Sequence, residues 1–327
     1  MTHTVLGLDI GGANLKAATV DRHAITVPFP LWKQPDKLGD SLAALIAQFP
    51  KTSTLAVTMT GELCDCFPTL REGVLAILDA VERAAGKCKV RIWTTDGQFV
   101  NATKARKDTA KVAAANWHAL ATYAARFSPN ADAALIDIGS TTTDLIAIRN
   151  GKPDSVGHTD RQRLEAGELL YLGTSRTPVF AFGLPSIAAE YFATMRDVYT
   201  VLGDIPEDDT DTDTADNRPA TIAFSLARLT RARCADRETM SDEEIRKFAM
   251  QLRDEQLRRI REAFQKAILS RFVPKRLILS GSGEFLLQSL FAKVRYPLCS
   301  LAYKLGKPVS GCAPAHAVAV LATENPA

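Results

Sequence analysis

Three short runs of β-branched and apolar residues open the chain, Val5 to Ile10, Leu15 to Val20 and Ile25 to Phe29, separated by Gly11-Gly12-Ala13-Asn14 and Asp21-Arg22-His23. This spacing predicts an antiparallel meander. Apolar positions then recur at helical spacing over Leu38 to Phe49, Arg71 to Ala85 and Thr109 to Phe127, with strands at Leu55 to Thr60 and Val90 to Thr94 between them. The order is βββαβαβα. After the turn-rich break Ser128-Pro129-Asn130, strand-turn-strand begins again at Ala133 to Asp137 and Thr143 to Ile148, and Asn150-Gly151 is a hairpin signal. A helix after Pro185, a long charged helix over Asp242 to Arg271, a strand Arg276 to Ser280, a helix after Glu284 and a terminal helix from Ala313 complete the pattern. The second half repeats the opening of the first. We therefore place one lobe at residues 1–128 and a second at 129–327, the latter with an acidic insertion near 203–217 and the terminal helix.

The insertion, Gly203 to Asp216, carries seven acidic side chains and almost nothing to bury. Like charges at this density favour extension, so it reads as a solvated loop. Ordering by Mg²⁺ when substrate binds is the sharper alternative. With 327 residues, 46% hydrophobic and 24% charged, the chain has room for two lobes. Its net charge of +3, with no block of basic residues, speaks against nucleic acid or an anionic membrane as partner. No stretch approaches the roughly 20 apolar residues needed to span a bilayer. The six cysteines include no C-x-x-C pair, and no basic and apolar leader follows Met1. A cytoplasmic protein with reduced thiols is expected. Oligomeric state is left open, a homodimer being one option.

Chemistry concentrates at two aspartates. Asp9 ends an apolar strand and runs into Ile10-Gly11-Gly12, and Asp137 ends another and runs into Ile138-Gly139-Ser140-Thr141-Thr142. A strand fixes each carboxylate, glycines let backbone N–H groups approach phosphate oxygens, and hydroxyls add donors. Two such loops face to face make a clamp for a metal-bridged polyphosphate. A third glycine turn follows a late strand, in Ser280-Gly281-Ser282-Gly283-Glu284.

The element order and these three loops together resemble the sugar kinase, actin and heat-shock chaperone ATPase superfamily. That resemblance implies an α/β fold of two ribonuclease-H-like lobes, the actin-like ATPase fold, with a cleft between them. The second loop, Asp137 to Asp144, most resembles the hydantoinase and oxoprolinase branch. The first loop departs from that branch, with Ala13-Asn14-Leu15-Lys16 where its members usually carry a threonine and an aspartate, a difference that counts against lactam hydrolysis. Thr58 to Phe67, Asn116-Trp117-His118-Ala119, Gly173 to Pro178 and Gly311 to Ala317 as a set resemble one subgroup, the hydantoinase-like proteins of tetrahydromethanopterin-linked one-carbon transfer, in which methanofuran is made by joining a furfuryl diphosphate to a tyramine phenol.

What the resemblance implies is a Mg²⁺-dependent transferase acting on a small-molecule diphosphate and a phenolic amine. Asp9 and Asp137 would hold Mg²⁺, and Lys16 would meet a phosphate oxygen. Gly11, Gly12, Asn14, Gly139, Ser140, Thr141 and Thr142 would cradle the rest. Gly281 and Gly283 mark where a nucleotide or similar group would lie, ATP being admitted but not required. A phenol has an unperturbed pKa of about 10 and needs a positioned base. Glu62, Asp65 and Asp96 follow strands at their carboxyl ends, where α/β sites open, and are the candidates. Arg176 suits either a phosphate or a carboxylate of a glutamyl-tyramine acceptor, and His118 is a candidate substrate contact. Duller roles stand beside these: turn caps for the aspartates, a solvated strand position for Lys16, packing for Cys64 and Cys66, and structural roles for His118 and His316. The rival functions are an ATP-dependent small-molecule kinase or oxoprolinase-like amidohydrolase, and a nucleotide-switched binding module.

Overall fold

The computed structural model describes residues 4–49, 51–291 and 296–325. Its first sheet comprises β1 (Thr4–Ile10), β2 (Asn14–Thr19), β3 (Ala24–Pro28), β4 (Thr52–Met59), β5 (Lys89–Trp93) and β6 (Phe99–Val100), ordered β3-β2-β1-β4-β5-β6. The second comprises β7 (Ala133–Ile138), β8 (Thr143–Arg149), β9 (Lys152–Pro153), β10 (Leu169–Leu170), β11 (Arg276–Ser280) and β12 (Leu298–Ser300). Its path is β10-β8-β7-β11-β12, with β9 beside β8. In both sheets the opening pair is antiparallel and the next strand is added parallel, so β7, β8 and β11 repeat β1, β2 and β4. These are the two lobes of an actin-like ATPase fold.

Strand alternation decides what each face carries. Leu6, Leu8 and Ile10 face helices Leu38–Ala47 and Leu70–Ala85 in one core. Ile136 and Ile138 face helices Met195–Leu202, Asp242–Phe264 and Glu284–Phe291 in another. The opposite faces share a third core, between the sheets, filled by helices Asn116–Ala124 and Ala313–Glu324. Asp9 lies on the inner face with Val5 and Gly7, and Asp137 on the inner face with Ala133 and Leu135. Both carboxylates therefore point from their sheets toward the space between the lobes.

The terminal helix, which chain order places with the second lobe, lies against the first sheet. A Cβ at Gly7 would overlap the carbonyl of Ala315 and stand 3.0 Å from Ala319 N, so only glycine admits the helix there. His316 Nδ1 lies 2.9 Å from Thr19 O, a structural contact.

Three further expectations change. The helix expected over Thr109 to Phe127 is broken, because Ala114 takes a left-handed φ of 46° that no right-handed helix can absorb; helices Thr109–Val112 and Asn116–Ala124 lie on either side. No helix follows Pro185 until Met195–Leu202, Gly183 and Ser186 both having left-handed φ. The long charged helix ends as α-helix at Phe264 and continues as a π turn, Gln265–Leu269.

The acidic segment is a loop, largely exposed as expected, and it is also tied down. Asp216 bonds Arg228 at 2.9 Å and Arg231 at 3.0 Å, Asp211 pairs with Arg196, and Glu207 accepts from Ile222 N–H at 2.6 Å. Arg228 is fully buried and also meets buried Asp197 at 2.7 Å. A buried guanidinium needs carboxylate partners, and the segment supplies one of them.

Candidate active site

The first and second loops close alike. Gly11 N–H donates to Asn14 O at 3.0 Å, and Gly139 N–H to Thr142 O at 2.8 Å. Each loop then receives the turn after the neighbouring parallel strand. Thr60 and Gly61 N–H donate to Ile10 O at 2.9 and 3.1 Å, and Gly283 N–H donates to Ile138 O at 2.9 Å. The third turn is thus a brace for the second loop. Gly281 has φ +90°, and a Cβ there would press on Ile138 O and stand 2.8 Å from Asp137 Oδ1.

Cross-strand register sets the neighbours of each aspartate. Asp9 is flanked by Lys16 on β2 and Thr58 on β4, and Asp137 by Asp144 on β8 and Ser280 on β11. Asp9 is 5% exposed, and burial raises its pKa while Lys16 opposes the rise. Burial and the Asp144 carboxylate push Asp137 up to about 7, opposed by the Ser280 hydroxyl and again by Lys16. One lysine thus lies close enough to act on aspartates from both lobes. Among the described residues, Oδ1 of each aspartate is buried without a hydrogen-bond partner. Buried carboxylate oxygens without donors are costly and mark a place for a cation. No group of three or more His, Cys, Asp or Glu that could hold a metal occurs among the described residues. Mg²⁺ fits such a site, because it is commonly held by one or two carboxylates with substrate phosphate and water completing the shell.

The three candidate bases separate. Glu62 is 1% exposed, keeps Oε2 unpartnered among the described residues, and is pushed up to about 7 by burial and by the carboxylates of Asp160 and Asp9, with the Ala114 N–H opposing. Asp65 is exposed. Asp96 is held by the Thr94 hydroxyl and by Lys111 at 3.2 Å, which keep its carboxyl below the usual range. Burial lowers His118 to about 4, and it packs against Trp93 and Trp117 with Trp93 Nε1 3.3 Å from its Nδ1. Only Glu62 of these four is both buried and acted on by a clamp aspartate. Cys64 and Cys66 pack on the first core.

Several neighbours carried no sequence signal of their own. Arg163, fully buried, bonds Asp144 at 2.7 Å, meets Asp160 at 3.6 Å and lies 4.2 Å over the Trp117 ring. It joins the second lobe to helix Asn116–Ala124. Asp160 opens helix Asp160–Ala166 and is raised to about 6 by burial. Trp32 is another, and Arg176, already a candidate from the sequence, crosses to the other lobe and stacks on it.

The family model for hydantoinase/oxoprolinase matches residues 53–325. The chain belongs to the hydantoinase/oxoprolinase family. Among curated proteins, this hydantoinase/oxoprolinase member is 37% identical to the (4-{4-[2-(gamma-L-glutamylamino)ethyl]phenoxymethyl}furan-2-yl)methanamine synthase of Methanocaldococcus jannaschii, over 97% of each chain. It is 33% identical to the synthase of the same name from Methanococcus vannielii, over 57% of this chain and 89% of that one. A nucleotide-free acetone carboxylase structure shares the fold, with a TM-score of 0.56, 11% identity, and coverage of 97% of this chain and 70% of that one. No helix among the described residues is long and apolar enough to cross a membrane.

Proposed function

We propose that this family member is a cytoplasmic Mg²⁺-dependent transferase that joins an aminomethyl-furan diphosphate to the phenol of a (glutamyl)tyramine, in methanofuran-type cofactor biosynthesis for tetrahydromethanopterin-linked one-carbon metabolism. The observation that carries the reading is the 37% identity, over 97% of each chain, to a synthase named for such an aryl-furfuryl ether amine. The bond from the furfuryl carbon to the diphosphate breaks, its electron pair leaves with pyrophosphate, and the phenol oxygen forms the new ether bond to that carbon. The phenol proton passes to a base.

Asp9 and Asp137 would hold Mg²⁺, whose contribution when bound is to neutralise charge on the departing diphosphate. Lys16 meets a phosphate oxygen, and the N–H groups and hydroxyls of Gly11, Gly12, Gly139, Ser140, Thr141 and Thr142 cradle the others. Glu62 receives the phenol proton. A buried carboxyl with a pKa of about 7 is matched to that task near neutral pH, unlike an ordinary exposed carboxylate.

The test is pyrophosphate and phosphate release with Mg²⁺, comparing ATP alone against the furan diphosphate with tyramine or γ-glutamyltyramine, and identifying products by mass. Pyrophosphate with the ether adduct supports the synthase. Phosphate from ATP without adduct overturns it.

A further inference from the structure

Trp32 has no part in the chemistry just described, yet it makes a contact that spans the lobes. It lies in the 3-10 turn Leu31–Lys33, where Leu31 N–H donates to Gly12 O at 2.9 Å and the preceding Phe29 N–H donates to Ala13 O at 2.9 Å. The turn is thereby fastened to the first phosphate loop. Arg176 is fastened to the second: Thr174 N–H donates to Gly139 O at 3.0 Å, and Ser175 and Arg176 N–H donate to Ser140 O at 3.0 and 2.9 Å. The Arg176 guanidinium carbon stands 4.4 Å from the Trp32 ring centroid. An indole surface covers one side of a guanidinium and leaves its in-plane N–H edge to donate. Among the described residues Arg176 Nη1 is buried and has no acceptor. A buried charged donor without an acceptor calls for an anion.

We infer that Trp32 is a positioning residue, and that its stack with Arg176 is an oxyanion clamp completed only when the lobes close. Because each partner is fastened to a different loop, opening the cleft separates ring from guanidinium, so anion capture and closure are coupled. The ligand chemistry rests on the synthase reading and has two sources there, the diphosphate of the donor and the free carboxylate of a γ-glutamyl acceptor.

The experiment compares W32L, W32F, R176A and the W32L/R176A double variant, measuring KM and kcat for the furan diphosphate, tyramine and γ-glutamyltyramine, and pyrophosphate affinity by calorimetry. W32L is expected to raise KM for one substrate about tenfold with kcat little changed, and W32F to restore it. R176A is expected to cost more, and the double variant no more than R176A alone, since Trp32 acts through Arg176. Weaker donor and pyrophosphate binding assigns the clamp to the diphosphate. A rise confined to γ-glutamyltyramine, with tyramine unmoved, assigns it to the carboxylate. Wild-type values in W32L for every substrate and for pyrophosphate, or additive losses in the double variant, overturn the clamp. Failure of the wild-type protein to form ether sinks the synthase reading instead, and pyrophosphate affinity then decides the clamp by itself.

Discussion

The two lobes close the same hairpin in the same way but surround their aspartates with opposite charge: Lys16 stands across from Asp9, and Asp144 across from Asp137. The turns that brace the hairpins repeat the contrast. Glu62 follows β4, and Glu284 follows β11, each just after a residue whose N–H reaches the isoleucine carbonyl of its lobe. Glu284 accepts from Ser300 Oγ at 2.5 Å, Ser310 Oγ at 2.8 Å and Ala302 N–H at 2.9 Å. Glu62 keeps a buried oxygen unpartnered among the described residues. One copy of the turn is satisfied and holds structure together, while the other keeps an unmet acceptor. Comparing duplicated positions by their unmet hydrogen bonds thus separates two carboxylates that occupy equivalent places in the two turns.

The comparison breaks most sharply at the aspartates. Asp9→Asn and Asp137→Asn should each lower Mg²⁺-dependent turnover at least about a thousandfold while circular dichroism stays native, since an amide is a poor partner for the cation. If both variants keep wild-type rates, the two-carboxylate site is wrong. In stability the pair should diverge, Asp137→Asn raising the melting temperature of metal-free protein at pH 8 because it removes a buried charge and its repulsion from Asp144, and Asp9→Asn raising it less because the buried charge it removes is partly offset by Lys16.

Glu62→Gln should cost roughly a hundred- to ten-thousandfold in kcat with modest change in KM, which steady-state kinetics reads directly. Glu284→Gln should act on stability instead, losing about 1–3 kcal/mol in urea titration with a smaller effect on rate. Equal kinetic losses in the two variants would remove the distinction between the copies.

The pH dependence follows from the same carboxyl. With its folded pKa near 7 against an ordinary 4.5, Glu62 binds more protons in the folded than in the unfolded state between those values. Its contribution to stability is therefore complete below pH 4.5 and lost as pH rises to about 7, by about 3 kcal/mol. Asp137 and Asp160, also raised, add slope of the same sign, so urea titrations of metal-free protein across that window should show a fall of at least this size, and Glu62→Gln should remove only the Glu62 share of it. Turnover runs the other way, rising through about pH 7 as the base ionises; an unchanged profile in a partly active Glu62 variant would assign the proton elsewhere.

Much of the scaffold was legible because strands and turns leave local signatures. The period-two runs at Val5 to Ile10 and Ala133 to Asp137, each ending in aspartate and glycine, located both loops and the duplication. What the chain did not disclose depends on partners distant in sequence. Nothing near Asp160 announces that Glu62 will stand close to it, nothing near Arg163 announces Asp144, and nothing near Trp32 announces Arg176. The acidic segment is the exposed loop its composition indicated, and only its anchoring went unseen. Arg196, Arg228 and Arg231 converge on it from the helices on either side, a geometry that composition does not carry. The three candidate bases looked alike as letters, and only burial and hydrogen bonding parted Glu62 from Asp65 and Asp96.

The seat of helix Ala313–Glu324 against Gly7 also bears on how the chain is made. The first sheet leaves the ribosome well before the helix that covers its inner face, which follows every strand of the second sheet. Its strands must wait with Val5, Ala56 and the Asp9 face uncovered, a high-contact-order arrangement that slows folding and exposes the nascent lobe to aggregation. The first sheet is then incomplete until a helix that follows the whole second sheet in the chain has docked on it.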